Sequence, residues 1–444
     1  MNRPASNLSL LFQPSMPVRI KPPQRPRAKL RKPERRAFLF LQGPPGPMMH
    51  QLATAMRGRG VKVARINICA GDHVDWPDEA TNFRGRFRDW PCFIDNFLRE
   101  HQITDILLFG DCRPYHVSAR GVAALRGVRT WVLEEGYLRP HWMTLELDGV
   151  NGYSRLVRQR DWLLEESSKL PPEPYLPPIT ATFRRRVRDT ARHYIAVHAG
   201  KLAYPFYRTH RPGSAFLEGI GWGWKYFVRG LRERQAAEVQ RGLEGKPYFL
   251  LPMQLSGDYQ IRSHSPFPDM RAAAGYVMES FARHAPDEAH LVIKAHPFDT
   301  SLVNWRRFIS RRAHRLGILE RVHYIDGGDL QQLAAETAGM VCVNSTSATL
   351  ALAAGSPVCA IGEAIYNIPG LTFGRHVDEF WTDPTPPERG LYGAFRRVLV
   401  DRCLVRGGLA SESAVATLVE SMTSRLCADP IEASAELPEP VAAE

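Results

Sequence analysis

At 444 residues the chain is long enough to bury two sizeable cores, and 44% hydrophobic with 23% charged content is the balance of a soluble globular protein. No apolar run approaches the roughly 20 residues of a membrane-spanning helix, and no charged start, apolar stretch and small-residue cleavage site mark a secretory signal. The formal charge of +12 points to anionic partners, and seven scattered cysteines without a C-x-x-C pair argue against a disulfide framework or a zinc site and for a reduced, cytoplasmic protein.

Residues 1–36 read as a disordered basic tail. Proline is frequent, and Arg19 to Arg36 carries nine Lys or Arg against one acid, Glu34. Such a run buries too little apolar surface to offset chain entropy. It is either solvated or in contact with acidic lipid or nucleic acid.

The folded part opens on Ala37-Phe-Leu-Phe-Leu41, a continuous apolar strand. Gln42-Gly-Pro-Pro-Gly-Pro47, a helix near 48–57 and a strand from Val61 to Ile68 complete a βαβ start. The turn lacks both G-x-G-x-x-G and a Walker lysine, so it predicts no dinucleotide or P-loop site. Its glycines either shape the turn or leave backbone open to an acceptor. Strands at 105–109 and 128–133 and a helix over 114–126 continue the alternation, which predicts a parallel sheet covered by helices. The second of these strands runs into Glu134-Glu135-Gly136. A carboxylate at a strand's carboxyl end suits general acid or base work, or is simply a solvated loop residue.

Residues 157–245 break the rhythm. Five prolines between 171 and 178 form a linker. Arg184, Arg185, Arg186, Arg188, Arg192, Lys201 and Arg208 then interleave with Tyr194, Tyr204, Phe206 and Tyr207. This helical material suits a membrane interface or single-stranded nucleic acid, or is a helix with a solvated basic face.

From Lys246 the alternation resumes. Tyr248 to Met253 is a strand with the exit loop Gln254-Leu-Ser-Gly-Asp258. Leu291 to Ile293 leads into Lys294-Ala-His296-Pro297. Gly339 to Val343 leads into Asn344-Ser345-Thr346 and a helix from Leu350. In an open α/β sheet ligands sit beyond the carboxyl ends of strands. Taken singly, Lys294 and His296 are a solvated cation and a turn residue, and Ser345 and Thr346 are caps. Their convergence with Asp258 on neighbouring strand exits suits an anionic ligand such as a phosphate. Helices near 391–400 and 413–427 and an acidic tail over 429–444 follow. No H-E-x-x-H, EF-hand loop or D-x-D occurs.

The motifs Leu41-Gln-Gly-Pro-Pro-Gly46, Glu134-Glu-Gly-Tyr-Leu-Arg-Pro140, Gly149-Val-Asn-Gly-Tyr-Ser154, Gln254-Leu-Ser-Gly-Asp258, Lys294-Ala-His-Pro297, Val343-Asn-Ser-Thr346 and Ile365-Tyr-Asn-Ile-Pro-Gly-Leu371 together resemble the capsule polysaccharide biosynthesis and export family, in its single-module, KpsS-type form. The resemblance spans about residues 38 to 405. It implies a GT-B-like α/β fold in which two Rossmann-like domains face a cleft, with a helical basic insertion. The implied limits are 37–156 for the acceptor domain, 157–245 for the insertion, 246–375 for the CMP-sugar domain and 376–428 for C-terminal helices.

By the same resemblance the activity is that of a retaining β-Kdo transferase. CMP-Kdo is the donor, a phosphatidylglycerol-derived lyso-lipid is the acceptor, and neither cofactor nor metal is implied. His296 and Lys294, with Ser345 and Thr346, would bind the CMP phosphate. Glu135, with Glu134 beside it, would act as acid/base, and Asp258 would be the nucleophile. Arg184, Arg185, Arg188, Tyr204 and Phe206 would meet acceptor or membrane. The implied setting is peripheral, on the cytoplasmic side of the inner membrane, beside capsule assembly proteins that include a second Kdo transferase. Two other classes remain: a non-catalytic assembly or export factor on the same fold, and a nucleic-acid binder. The latter is disfavoured because the basic residues lie in the tail and the insertion, not along the strand exits.

Overall fold

The computed structural model describes residues 36–173, 176–179, 183–209, 221, 223, 225, 227–255, 259–299 and 303–428. The basic tail, the acidic tail and Asp258 lie outside them.

Two sheets organise the chain. In the first, β1 (Ala37–Phe40), β2 (Lys62–Asn67), β3 (Thr81–Asn82), β4 (Asp105–Phe109) and β5 (Arg129–Glu135) are parallel, and α1 (Met48–Gly58), α2 (Ala70–Asp75), α3 (Trp90–Glu100) and α4 (Pro114–Leu125) connect them. The central strands β1 and β4 read as near-continuous, fully buried apolar runs because helices cover both faces. β6 (Trp142–Leu147) then turns back antiparallel to β5. α5 (Arg160–Lys169), α6 (Phe183–Ala199) and α7 (Arg229–Gly242) form the insertion.

The second sheet is fully parallel: β7 (Tyr248–Pro252), β8 (His290–Lys294), β9 (Val322–Ile325), β10 (Gly339–Cys342) and β11 (Val358–Ala360). Its helices are α8 (Tyr259–His264), α9 (Met270–His284), α10 (Trp305–Arg315), α11 (Leu330–Glu336) and α12 (Ala348–Ala354). After α13 (Val377–Phe380) and α14 (Leu391–Arg402), the chain returns to the first half. There β12 (Leu404–Arg406) pairs antiparallel with β6, and α15 (Glu412–Cys427) packs Val415, Leu418 and Met422 into the cluster holding Met48, Met49 and Leu52 of α1. The C-terminal region is therefore not helices alone.

The strand orders are β12-β6-β5-β4-β1-β2-β3 and β11-β10-β7-β8-β9. Each contains the order reversal of a Rossmann-like sheet, between β4 and β1 in the first half and between β10 and β7 in the second. Ligands of such sheets bind outside the carboxyl ends of the strands at that reversal. The insertion touches both halves. His193 and Asp189 of α6 meet the first half at Asp75 and Gly46, while Glu233 of α7 accepts the Gly328 amide of the second at 2.9 Å.

Candidate functional site

At the reversal of the second sheet, the side-chain amides of Gln254 and Asn344 lock the exits of β7 and β10 together. The Gln254 amide donates to Asn344 Oδ1 at 2.8 Å, and the Asn344 backbone N–H donates to Gln254 Oε1 at 3.2 Å. Both are buried, so the exchange meets the requirement that buried polar groups be paired. The pair fixes where the Ser345-Thr346 turn begins. Tyr366 supports that turn from behind, its hydroxyl donating to the Ser345 carbonyl at 2.7 Å. Ser345 and Ser347 share a hydroxyl hydrogen bond of 2.7 Å, and the Thr346 carbonyl accepts from Thr349 at 2.8 Å.

His296 lies beyond β8, next to β7. Its Nδ1 accepts the Phe298 backbone N–H at 3.1 Å, which places the ring proton on Nε2. Burial depresses its pKa to about 4, and the positive charges of Arg139 and Lys225 push the same way. At neutral pH it is an uncharged donor. Lys294 is buried and turned aside, its ammonium donating to the Gly327 carbonyl beside β9. Burial lowers its pKa, against the acids Glu233 and Asp326. The structure thus brings Lys294 to the right strand end but commits it to the neighbouring loop.

The opposite wall is the exit of β5. Glu134 and Glu135 pair in register with Thr144 and Met143 of β6. Glu135 accepts from Arg186 of α6 at 2.5 Å. Beyond them Tyr137 turns inward, where its hydroxyl donates to Glu146 at 2.7 Å and accepts the Asn151 backbone N–H. Ser154 donates to the other oxygen of Glu146. Full burial raises the Glu146 pKa to about 7. Asn151, at φ 55°, spans the junction: its amide donates to Gln260 Oε1 at 3.2 Å, and its Oδ1 accepts the Ile365 backbone N–H at 3.1 Å.

The walls meet at two further points. The charge of Arg139, four residues after Glu135, bears on His296. The Thr349 hydroxyl, three residues after Thr346, reaches the Tyr137 carbonyl at 3.5 Å. The exit of β5 therefore meets the exits of β8 and β10 at one junction, where Glu134 lies beside Gly110 and Glu135 is held by Arg186.

Several expected contacts fall elsewhere. The Gly43-to-Gly46 turn does not leave its Gly46 end open: the Gly46 N–H donates to Asp75 at 2.9 Å, and a Cβ on Gly46 would meet Asp189 of α6 at 2.6 Å. Arg185 and Tyr204 do not face solvent. Arg185 is buried in ion pairs with Asp189 one turn on and with Glu412 of α15, and Tyr204, in the turns after α6, is buried with its hydroxyl bonding His73 and Asn82. Arg184 is exposed, Arg188 is exposed but paired with Asp189 and Glu412, and Phe206 is 43% exposed.

Sequence reasoning gave no role to Arg139, Arg186, Asn151 or the Gln254–Asn344 pair. The motifs containing Arg139, Asn151, Gln254 and Asn344 were visible, but partners on different strands are not encoded in spacing. Arg186 was indistinguishable from the arginines on either side of it.

Two Rossmann-like sheets facing one cleft, with an acidic exit on one wall and hydrogen-bond donors on the other, define a GT-B-like α/β protein. Within that class the chain belongs to the capsule polysaccharide biosynthesis protein family, whose model matches residues 104–409. It is 34% identical over 390 residues to the capsule polysaccharide modification protein LipB of Neisseria meningitidis serogroup B, covering 84% of this chain and 92% of that protein. It is 32% identical over 369 residues to the capsule polysaccharide export protein KpsS of Escherichia coli, covering 82% and 94%. Among solved structures, the β-Kdo 2,7 transferase KpsC of Thermosulfurimonas dismutans aligns over 86% of this chain and 99% of that one, at 14% identity and a TM-score of 0.42.

Proposed function

We propose that the protein is a retaining β-Kdo glycosyltransferase of capsule assembly. It transfers Kdo from CMP-Kdo to a phosphatidylglycerol-derived lyso-lipid and so starts the linker of the polysaccharide. The observation that supports this reading is the contact between the β5 exit loop and the second half: the charge of Arg139 bears on His296, and the Thr349 hydroxyl reaches the Tyr137 carbonyl. A leaving phosphate needs donors that stabilise developing charge. His296 Nε2–H and the Ser345 and Thr346 hydroxyls supply them without a metal in the scheme. A retained anomer needs two inversions, hence a carboxylate nucleophile and a second carboxylate as acid/base. Asp258 takes the first role and Glu135 the second, with Glu134 as its neighbour. Lys294 acts on the same phosphate only if it leaves the Gly327 carbonyl.

The outer side of α6 supports the membrane setting. Arg184, Val187, Arg188, Arg192 and Ile195 are exposed at helical spacing, and Leu202 follows in the next turn, 97% exposed. Basic and apolar side chains on one face suit an anionic bilayer surface. Among the described residues no helix is long and apolar enough to cross a membrane. The test is incubation of purified protein with CMP-Kdo and lyso-phosphatidylglycerol in detergent, with mass spectrometry of the lipid. A lipid carrying one or more Kdo residues is expected. No product, together with no thermal stabilisation by CMP, would favour a non-catalytic assembly or export factor.

A further inference from the structure

Asp111 and Cys112 follow β4 at the order reversal of the first sheet, and His264 ends α8 in the second half. The Cys112 thiol donates to Asp111 Oδ1 at 3.2 Å and lies 3.9 Å from His264 Nε2. One ligand atom from each residue lies within 4.8 Å of the others. Asp111 and His264 are 0% and 1% exposed. The second Asp111 oxygen is already engaged by the Val150 N–H at 3.1 Å and by Arg120 at 3.5 Å. Oδ1 is left facing the thiol.

The buried imidazole turns Nε2 toward Cys112 and Nδ1 away from it. Among the described residues Nδ1 has no hydrogen-bond partner, so no hydrogen bond at Nδ1 fixes the ring and its packing against Gly152 sets its position. It lies against Gly152, where a Cβ would stand 2.3 Å from Nδ1 and 2.9 Å from Glu363 Oε2. Gly152, in the Gly149-to-Ser154 motif, makes the room that lets the ring present Nε2 to Cys112. Tetrahedral zinc bonds of ~2.3 Å to sulfur and ~2.0–2.1 Å to nitrogen or oxygen set neighbouring ligand atoms about 3.5 Å apart. The observed 3.2 and 3.9 Å bracket that spacing.

We propose that Asp111, Cys112 and His264 form a divalent transition-metal site, suited best to zinc, that joins the two halves beside the catalytic cleft. Carboxylate, thiolate and imidazole together are a borderline ligand set that favours zinc over magnesium or calcium. Binding replaces the thiol proton with the metal and releases that proton to solvent, with no change of oxidation state. A water or a ligand atom from the cleft completes four-coordination. The metal's role is to hold the halves in register, so the proposal stands apart from the sugar-transfer reading.

The test strips the full-length protein with a chelator and titrates it with Co²⁺, then with Zn²⁺ against a chromophoric competitor. About one metal per chain and a thiolate-to-cobalt charge-transfer band are expected. Cys112→Ser should abolish the band, and His264→Ala should abolish stoichiometric binding. Cys92→Ser, which alters an exposed thiol, should change neither. Gly152→Ala removes no ligand but displaces the imidazole, and should weaken zinc binding roughly 10- to 100-fold, the scale of a disturbed outer shell. Should Cys112→Ser fail to fold, the wild-type spectrum and Gly152→Ala decide the matter. No charge-transfer band in the wild type, a band that survives Cys112→Ser, or zinc affinity unmoved by Gly152→Ala would each overturn the proposal.

Discussion

Arg186 of α6 holds the carboxylate of Glu135 at 2.5 Å, so the insertion reaches into the cleft and grips the acid assigned to proton transfer. The pair is partly exposed, with 41% of the Arg186 side chain and 23% of the Glu135 side chain accessible. Exposed pairs contribute at most about 1 kcal/mol to stability. Arg186→Ala should therefore leave the denaturation midpoint nearly unchanged while lowering turnover about tenfold, which is roughly 1.4 kcal/mol of transition-state stabilisation. Glu135→Gln and Asp258→Asn should abolish turnover with CMP binding retained. Steady-state kinetics beside CMP-dependent thermal shifts separate these outcomes, and full activity in either carboxylate variant removes that residue's role.

In the proposed reaction His296 is a neutral donor through Nε2. Hydrogen bonds to charged groups contribute about 1.5–3 kcal/mol. His296→Ala should weaken CMP binding by roughly tenfold or more, without unfolding the second half. Calorimetric titration with CMP provides the measurement, and unchanged affinity would place the phosphate elsewhere.

Gln254→Ala strands the buried Asn344 side-chain oxygen and backbone N–H, while Asn344 Nδ2 still donates to the Gln260 carbonyl at 3.1 Å. Leaving such groups unpaired costs about 1–3 kcal/mol. The variant should show that loss by urea denaturation and a weaker CMP interaction, because the Ser345-Thr346 turn begins at Asn344. A stability loss with unaltered CMP affinity would separate the turn from the donor site.

Glu146 gives stability a distinct pH dependence. Its folded pKa of about 7 lies above the ordinary carboxyl value of 4.5, because burial favours the protonated form. The native state then holds a proton that the unfolded chain has released. Its contribution is complete below about pH 4.5 and is lost as pH rises through 7, a total on the order of 3 kcal/mol. Glu146→Gln stays neutral throughout. The stability difference between wild type and variant, taken from denaturation at pH 5 and pH 8, should shift toward the variant at pH 8. A difference independent of pH would mean Glu146 is ionised in the folded protein.

Ile195→Glu combined with Leu202→Glu should reduce sedimentation with phosphatidylglycerol vesicles at least tenfold, about 1.4 kcal/mol, and leave CMP binding intact. Both residues are exposed, Ile195 on α6 at helical spacing from Arg184 and Arg192, and Leu202 just past the end of that helix. Equal sedimentation would move the docking surface away from α6.

The parallel strands were legible because continuous apolar runs such as Phe38 to Leu41 and Leu291 to Ile293 have no other economical reading, and their exits named Glu135, His296 and Ser345. β6 was not legible. Thr144 and Glu146 look like solvent positions in sequence, yet both are buried, with Glu146 inside the network of Tyr137 and Ser154. The inward turn of Arg185 and Tyr204 was hidden because their partners, Glu412, His73 and Asn82, lie far away in sequence. Nor could spacing bring Cys112 to His264, since 152 residues separate them.

The return of β12 to β6 has a bearing on synthesis. The first sheet is the earlier half to leave the ribosome, yet its outermost strand emerges only after the whole second half has been made. Until then β6 carries an unpaired edge, the kind of surface that recruits strands from other chains. A nascent first half needs shielding through that interval, and a fragment cut before β12 should aggregate where the intact chain does not.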